Sequence, residues 1–325
     1  MLKLILDTNL FRTDLKGLEK YEFSSLYEKI IKYTKNNKFQ DVSLCMPETA
    51  IKEYVKQIAD QYQVKVVDGY TTAFNIMKDS LPVFEIKFRD KYDFMDEYFV
   101  GMLDRLKQSN IEIIDTLPTK QSGGMKMVDV LNKTIKDIAP FDKKHNHNLK
   151  DAFISETVNS QATEDIEHEY LLVTCNAKDF KCNTDVANNY KMEFLETNAS
   201  DKILSIIEII RNHGGYVDEE LFYEEFLYSQ RVKENIKNFL EINIIEGHYY
   251  GDSIPEIEKF DDCHYLLSYE VDADKTMIDI KFNIVAGESK HLAGIIYSLN
   301  EKEYPILKKY VYYTDESGEE VPDEF

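Results

Sequence analysis

Through residue 195 the chain alternates short apolar runs with stretches whose apolar positions recur every three to four residues. Leu2–Leu6 is the first such run, and it ends at a carboxylate, Asp7, as a central strand of a parallel sheet does. From Phe23 to Tyr33, apolar or aromatic residues fall at 23, 26, 27, 30, 31 and 33, the spacing of an amphipathic helix. Val42–Met46 predicts a second strand, with Pro47 placed to open a helix from Glu48. Residues 60–110 read as a helical insertion whose second half, 89–108, is rich in Tyr, Phe and Met. Ile111–Ile114, Tyr170–Thr174 and Met192–Leu195 supply further strands. Helices are expected over about 125–138, between Gly123–Gly124 and Pro140, and over Asp151–Val158. Strands and helices in this alternation predict an α/β layer fold with a mostly parallel sheet.

After residue 200 the rhythm changes. Lys202–Arg211 and Glu219–Leu240 have helical periodicity and are separated by Gly214–Gly215. Strand patterns follow at 264–271, 277–285, 292–299 and 306–314, divided by short polar turns, which predicts an antiparallel meander. Residues 316–325 read as a frayed tail. Two domains are therefore expected, 1–200 and 201–325, the second α+β, with the boundary between about 200 and 215.

Composition sets the class. With 43% hydrophobic and 30% charged residues the chain has the makeup of an ordinary globular protein. No apolar run approaches the roughly 18 residues of a membrane span, and Met1–Leu6 is too short for the apolar core of a secretory signal. Cys45, Cys175, Cys182 and Cys263 form no C-x-x-C pair, so reduced structural thiols in a cytoplasmic protein are expected. The formal net charge of −21 divides into −5 over residues 1–200 and −16 over 201–325. That balance opposes a large nonspecific nucleic-acid footprint. It leaves room for a site whose own carboxylates are negative until cations fill it.

The acids fall where such a site would form. Asp7 follows one apolar run and Asp179 closely follows another, within Leu171–Phe180. Ligands of open parallel sheets bind in the crevice beyond the carboxyl ends of the strands. Asp151 opens a helix after a loop carrying Lys143, Lys144, His145, His147 and Lys150, cations placed to hold phosphates. Glu48 and Glu53 lie on the helix after the second strand, about 140° apart around its axis, so one of them can face Asp7. The apolar face set by Ile51, Val55 and Ile58 lies nearer Glu48. Several carboxylates meeting in one crevice repel one another unless divalent cations sit among them. Such a cation activates water against a phosphate.

Four segments occur in order: Leu4–Phe11 (LILDTNLF), Met46–Tyr54 (MPETAIKEY), Asn148–Ile154 (NLKDAFI) and Val173–Phe180 (VTCNAKDF). As a set, spread over roughly residues 1–200, they resemble the PIN domain family of Mg²⁺- or Mn²⁺-dependent nucleases. The resemblance implies a three-layer domain about a central, mostly parallel sheet. It implies Asp7, Glu53 and Asp151 as an acidic triad and Asp179 as the fourth acid, all as catalytic metal ligands. Glu53 is preferred over Glu48 by the family's Pro-to-Glu spacing. Thr8, Asn9 and Thr174 are implied as supporting residues. Asn176 departs from the pattern, standing where many members have Asp. The implied activity is endoribonuclease, with RNA as partner and DNA left open, in a toxin-like, stress or phage-defence setting. An inhibitor or regulatory protein is expected on the acidic C-terminal domain, and a homodimer is left open. A nonenzymatic PIN-like scaffold with a degraded metal site is the alternative, motivated by Asn176 and the −16 charge of the second domain.

Overall fold

The computed structural model describes residues 1–11, 21, 23–78, 86–115, 149–176, 187–195, 201–245, 267–286, 289–301, 303–314 and 320–324. The chain divides into two compact units, Met1–Asp218 and Glu219–Phe325. The helix Lys202–Asn212 and the strand Tyr216–Val217 thus group with the first unit, whose end at Asp218 lies just past the 200–215 interval. One tie is visible in the backbone: Phe39–Gln40 pairs antiparallel with Tyr216–Val217. A pair of two-residue strands is too short to register as a pattern in sequence.

The first unit is built on five parallel strands: β1 (Leu2–Leu6), β3 (Val42–Pro47), β4 (Glu112–Ile114), β5 (Glu169–Thr174) and β6 (Tyr190–Phe194). β2 is the Phe39–Gln40 strand. Their order is β4-β3-β1-β5-β6, with β1 at the centre and every one of its five residues buried. Leu4, Ile5 and Leu6 are 1% exposed or less, as are Leu171, Leu172 and Val173 on β5. Buried on both faces, these strands carry the near-continuous apolar runs that made them visible. From β1 the chain adds β3 and β4 on one side, then returns to add β5 and β6 on the other. The reversal makes the carboxyl ends of β1 and β5 a topological switch point, where α/β sheets bind ligands.

Lys3, on β1, is a buried cation paired with Glu112 on β4. Burial pulls its ammonium down, and the hydrogen bond and charge of Glu112 outweigh that pull, so the group stays protonated. Helices cover the sheet: α1 (Thr8–Phe11), α2 (Ser25–Lys35), α3 (Glu48–Gln61), α5 (Lys91–Gln108), α6 (Leu149–Glu164) and α7 (Lys202–Asn212). α4 is Gly69–Met77, joined to α3 by a π-helical turn, Tyr62–Asp68. The expected insertion over 60–110 is therefore helical in its described parts. The helix expected over 125–138 lies outside the described residues. Cys45 and Cys175 are free thiols, and the other two cysteines lie outside the described residues.

Among its described residues the second unit has two helices, α8 (Glu219–Leu227) and α9 (Gln230–Ile245), and a five-stranded antiparallel meander. Its strands are β8 (Ser268–Val271), β9 (Met277–Ala286), β10 (Ser289–Ser298), β11 (Ile306–Thr314) and β12 (Glu320–Glu324). β7 is the Tyr216–Val217 strand of the first unit. One face of the sheet is apolar, with Ile278, Ile280, Phe282, Ala293, Ile295 and Tyr297 fully buried. It packs on the helices through Phe226 against Tyr297 and Phe239 against Phe282.

Two expectations are corrected here. The single helix expected over Glu219–Leu240 is broken, because Ser229 is buried and its Oγ accepts from the Val232 N–H, starting a second helix. The expected frayed tail instead ends in β12, paired with β11 from Thr314↔Glu320 to Tyr310↔Glu324. Pro322 is tolerated there because β12 is an edge strand.

Candidate active site

β1 delivers Asp7 to the switch point. Its N–H donates to Val173 O at 3.0 Å, extending the β1–β5 ladder, and its carbonyl accepts from Leu10 N at 2.8 Å as the chain turns into α1. The carboxylate is 2% exposed. Oδ1 accepts from the Thr8 N–H at 2.7 Å. Oδ2 accepts from Thr174 Oγ1 at 2.8 Å and from Asn9 Nδ2 at 3.2 Å. Burial pushes this carboxyl above the ordinary range and the charge of Glu53 adds to the rise, while the donors Thr174, Thr8 and Asn9 oppose it.

The other acids reach Asp7 through intermediaries. Thr8 Oγ1 donates to Glu53 Oε2 at 3.3 Å, so the residue that caps one oxygen of Asp7 also touches Glu53. Thr174, itself fully buried, accepts from the Asn176 N–H at 2.9 Å. The Asn176 side chain then donates to Asp151 Oδ2 at 3.4 Å. Three elements far apart in sequence, β1, α3 and α6, thus present carboxylates to one network at one rim of the sheet. Of the two candidates on α3, the structure brings Glu53 to this rim, and Glu48 turns to Lys52 at 2.6 Å. The buried face of α3 includes Ala50 and Tyr54 besides Ile51, Val55 and Ile58. Ala59 extends that face on the Glu48 side as well, and Glu53 stands on its flank beyond Ala50.

Asp179, Lys143, Lys144, His145 and His147 lie outside the described residues, and of Lys150 the backbone alone is described, in the first turn of α6. Among the described residues no group of three His, Cys, Asp or Glu lies close enough to hold a metal ion. Glu53 is joined to Asp7 through one intervening residue, Thr8, and Asp151 through two, Thr174 and Asn176. Their chemistry nonetheless suits a hard divalent cation: the donors are all carboxylate oxygens, and the buried Asp7 carries a charge that a cation would offset.

Three residues belong to this neighbourhood that sequence reasoning passed over. Gln57, one helical turn beyond Glu53, donates to Glu53 Oε1 at 3.5 Å; the i,i+4 spacing could have indicated it. Glu156, on the helix of Asp151, is a buried carboxylate, 4% exposed. Burial drives the Tyr190 phenol upward, and the charges of Glu156 and Asp7 add to that. Lys202 opens α7, which follows β6 and so begins near the carboxyl ends of the strands. It partly offsets the rise that burial imposes on the Cys175 thiol. No pattern in the sequence marked Glu156 or Lys202.

Thr174→Val is expected to lower activity about 10- to 100-fold, the scale known for losing a hydrogen-bond partner that orients a carboxylate in metal sites. Steady-state cleavage at saturating metal checks it. Unchanged rates would mean that the hydroxyl does not set the position of Asp7.

An open parallel sheet thus carries a buried carboxylate at its switch point, with two further acids tied to it. The chain belongs to the PIN domain family, whose model matches residues 4–180. PIN domains are generally nucleases. No curated protein and no solved structure matches this chain.

Proposed function

We propose that the chain is a metal-dependent endoribonuclease that hydrolyses RNA phosphodiester bonds, with Asp7, Glu53, Asp151 and Asp179 as its acids and Mg²⁺ or Mn²⁺ as its cofactor. The observation that supports this most is the network that ties Asp7, 2% exposed, to Glu53 and Asp151 beyond the end of β1. When bound, the cation supplies an activated water and offsets the charge that develops on the phosphate.

The chain's own residues hold the acids in place. Thr8 and Thr174 each cap one oxygen of Asp7. Thr8 and Gln57 hold Glu53, and Asn176 orients Asp151. The cations Lys143, Lys144, His145, His147 and Lys150, just before Asp151 in the chain, grip phosphates beside the scissile bond. The acidic C-terminal unit regulates the nuclease or binds a regulatory partner, which fits a stress or phage-defence effector better than a minimal toxin. A nonenzymatic scaffold is the second reading, favoured by Asn176, an amide where many members of the family carry an acid.

Sequencing of RNA ends in cells expressing the chain or its Asp7→Asn variant tests the proposal. New ends are expected with the unaltered chain and absent with the variant. Equal ends from both would overturn it. Calorimetric titration with Mn²⁺ separates the scaffold, which predicts no binding that depends on these carboxylates.

A further inference from the structure

The carboxyl ends of β5 and β6 lie side by side. Thr174 pairs with Phe194 in the ladder, and just past that pair the Leu195 N–H donates to Thr174 O at 2.9 Å. Thr174 is also the residue whose hydroxyl caps Asp7. α7 is the next described element, with Asp201 as its N-cap and Lys202 as its first residue. Cys175, the residue after Thr174, feels both Lys202 and Asp7. Burial drives its thiol up, Lys202 pulls it down, and Asp7 adds to the rise. A cation and the buried acid thus act on one residue of the same rim.

Lys202 differs from the other lysines in comparable surroundings. It is half-buried, and among the described residues it makes no hydrogen bond, ion pair or ring contact. The other described lysines that are buried or half-buried all have partners. Lys3, Lys38, Lys91 and Lys281 pair with carboxylates, Lys309 lies over the Phe239 ring, and Lys308 is engaged as well. Taking a charge partly out of water without a counter-charge is unfavourable. The chain has 60 acidic side chains, yet none of the described ones neutralises this lysine.

We infer that Lys202 is a substrate-binding residue that holds a phosphate of the RNA strand next to the scissile one. The inference rests on the nuclease proposal, which puts the scissile phosphate at the acids around Asp7. A strand laid along the rim from β1 toward β6 brings a neighbouring phosphate to the start of α7. The acidic surface elsewhere repels such a strand. A contact that positions it therefore needs a cation whose charge is not already neutralised. Lys202 also stands apart from the acids, since it is bonded to neither Asp7 nor Glu53, and so its charge acts on the strand.

Fluorescence anisotropy of a labelled single-stranded RNA of random sequence reads the binding. The full chain carries Asp7→Asn, which leaves the strand intact, and Mn²⁺ is present. On that background Lys202→Ala is expected to weaken binding about 10-fold, the lower end of what a hydrogen bond to a charged group contributes. The plot of log affinity against log salt should lose about 0.7 of its slope, the share of one phosphate contact on a single strand. Lys202→Arg keeps the charge and should keep the slope. Lys107→Ala removes the same charge from an exposed position in the last turn of α5 and should alter neither quantity. A Lys202→Ala variant with an unaltered slope overturns the inference. So does a Lys107→Ala variant that loses as much, or a background chain that binds no RNA. Cleavage is scored separately on the chain with Asp7 in place. If that chain cuts no RNA while binding still depends on Lys202, the phosphate contact stands and the nuclease proposal falls.

Discussion

Exchanging Asp7 for Asn is expected to slow phosphodiester cleavage roughly 100- to 1,000-fold, the scale of removing one preorganised charge-stabilising group from a reaction centre. The same change is expected to raise the melting temperature of the metal-free protein by a few degrees. Both effects have one cause. The Asp7 carboxyl is 2% exposed and held above its ordinary range by burial and by the charge of Glu53. An acid whose folded value is raised keeps its proton longer in the native state than in the unfolded chain. Stability therefore falls as pH rises from the unfolded value, about 3.9, through the folded one, and the cost persists at neutral pH. Asparagine has nearly the same shape and no charge, so it removes the cost together with the chemistry. Thermal melts in chelator and single-turnover cleavage with Mn²⁺ read the two signs. A variant that melts lower would show that Asp7 serves the fold as a hydrogen-bond acceptor. A variant that cleaves at the original rate would place the chemistry elsewhere.

In the second unit, Gly294→Ala is expected to cost about 2–5 kcal/mol, the sum of overpacking and an unsatisfied polar group. For a unit of this size that lowers the melting temperature by about 10 °C or more. Gly294 on β10 pairs with Tyr310 on β11 and with Lys281 on β9. A Cβ at Gly294 would overlap the ring and hydroxyl of Tyr310. The missing side chain is what lets this ring cross β10, so that its hydroxyl donates to both oxygens of Asp279 on β9, at 2.9 and 2.7 Å. Burial pushes the Asp279 carboxyl up, while Tyr310 and Lys281 hold it down. Alanine would displace the ring and leave a half-buried carboxyl without its donor. Combining Gly294→Ala with Tyr310→Ser should recover part of the loss, a coupling that a double-mutant cycle by calorimetry measures. An unmoved transition in the single variant would refute this account of the glycine.

Elements whose physics is local were legible. β1, β3 and β5 read as apolar runs because both faces of a central parallel strand are buried. The meander read clearly because alternation and polar turns repeat along it. Elements that depend on a distant partner were not. β12 is a strand because β11 offers it a free edge, and its own residues, Glu320, Asp323 and Glu324 among them, read as a tail. The break between α8 and α9 depends on the burial of Ser229, which is one serine among polar neighbours in the sequence.

The site divides the same way. Asp7 was visible at the end of an apolar run, while Thr8, Asn9, Thr174 and Asn176 were marked by the resemblance of two short strand-end motifs to the PIN family, where neighbours in sequence are neighbours in space. The family's Pro-to-Glu spacing already favoured Glu53 over Glu48, whereas the burial of Glu156 came only with the packed helices. Periodicity gives the direction of a side chain about its own axis to within tens of degrees. Which flank of a helix faces a carboxylate on another element is decided by the packing of both against the sheet.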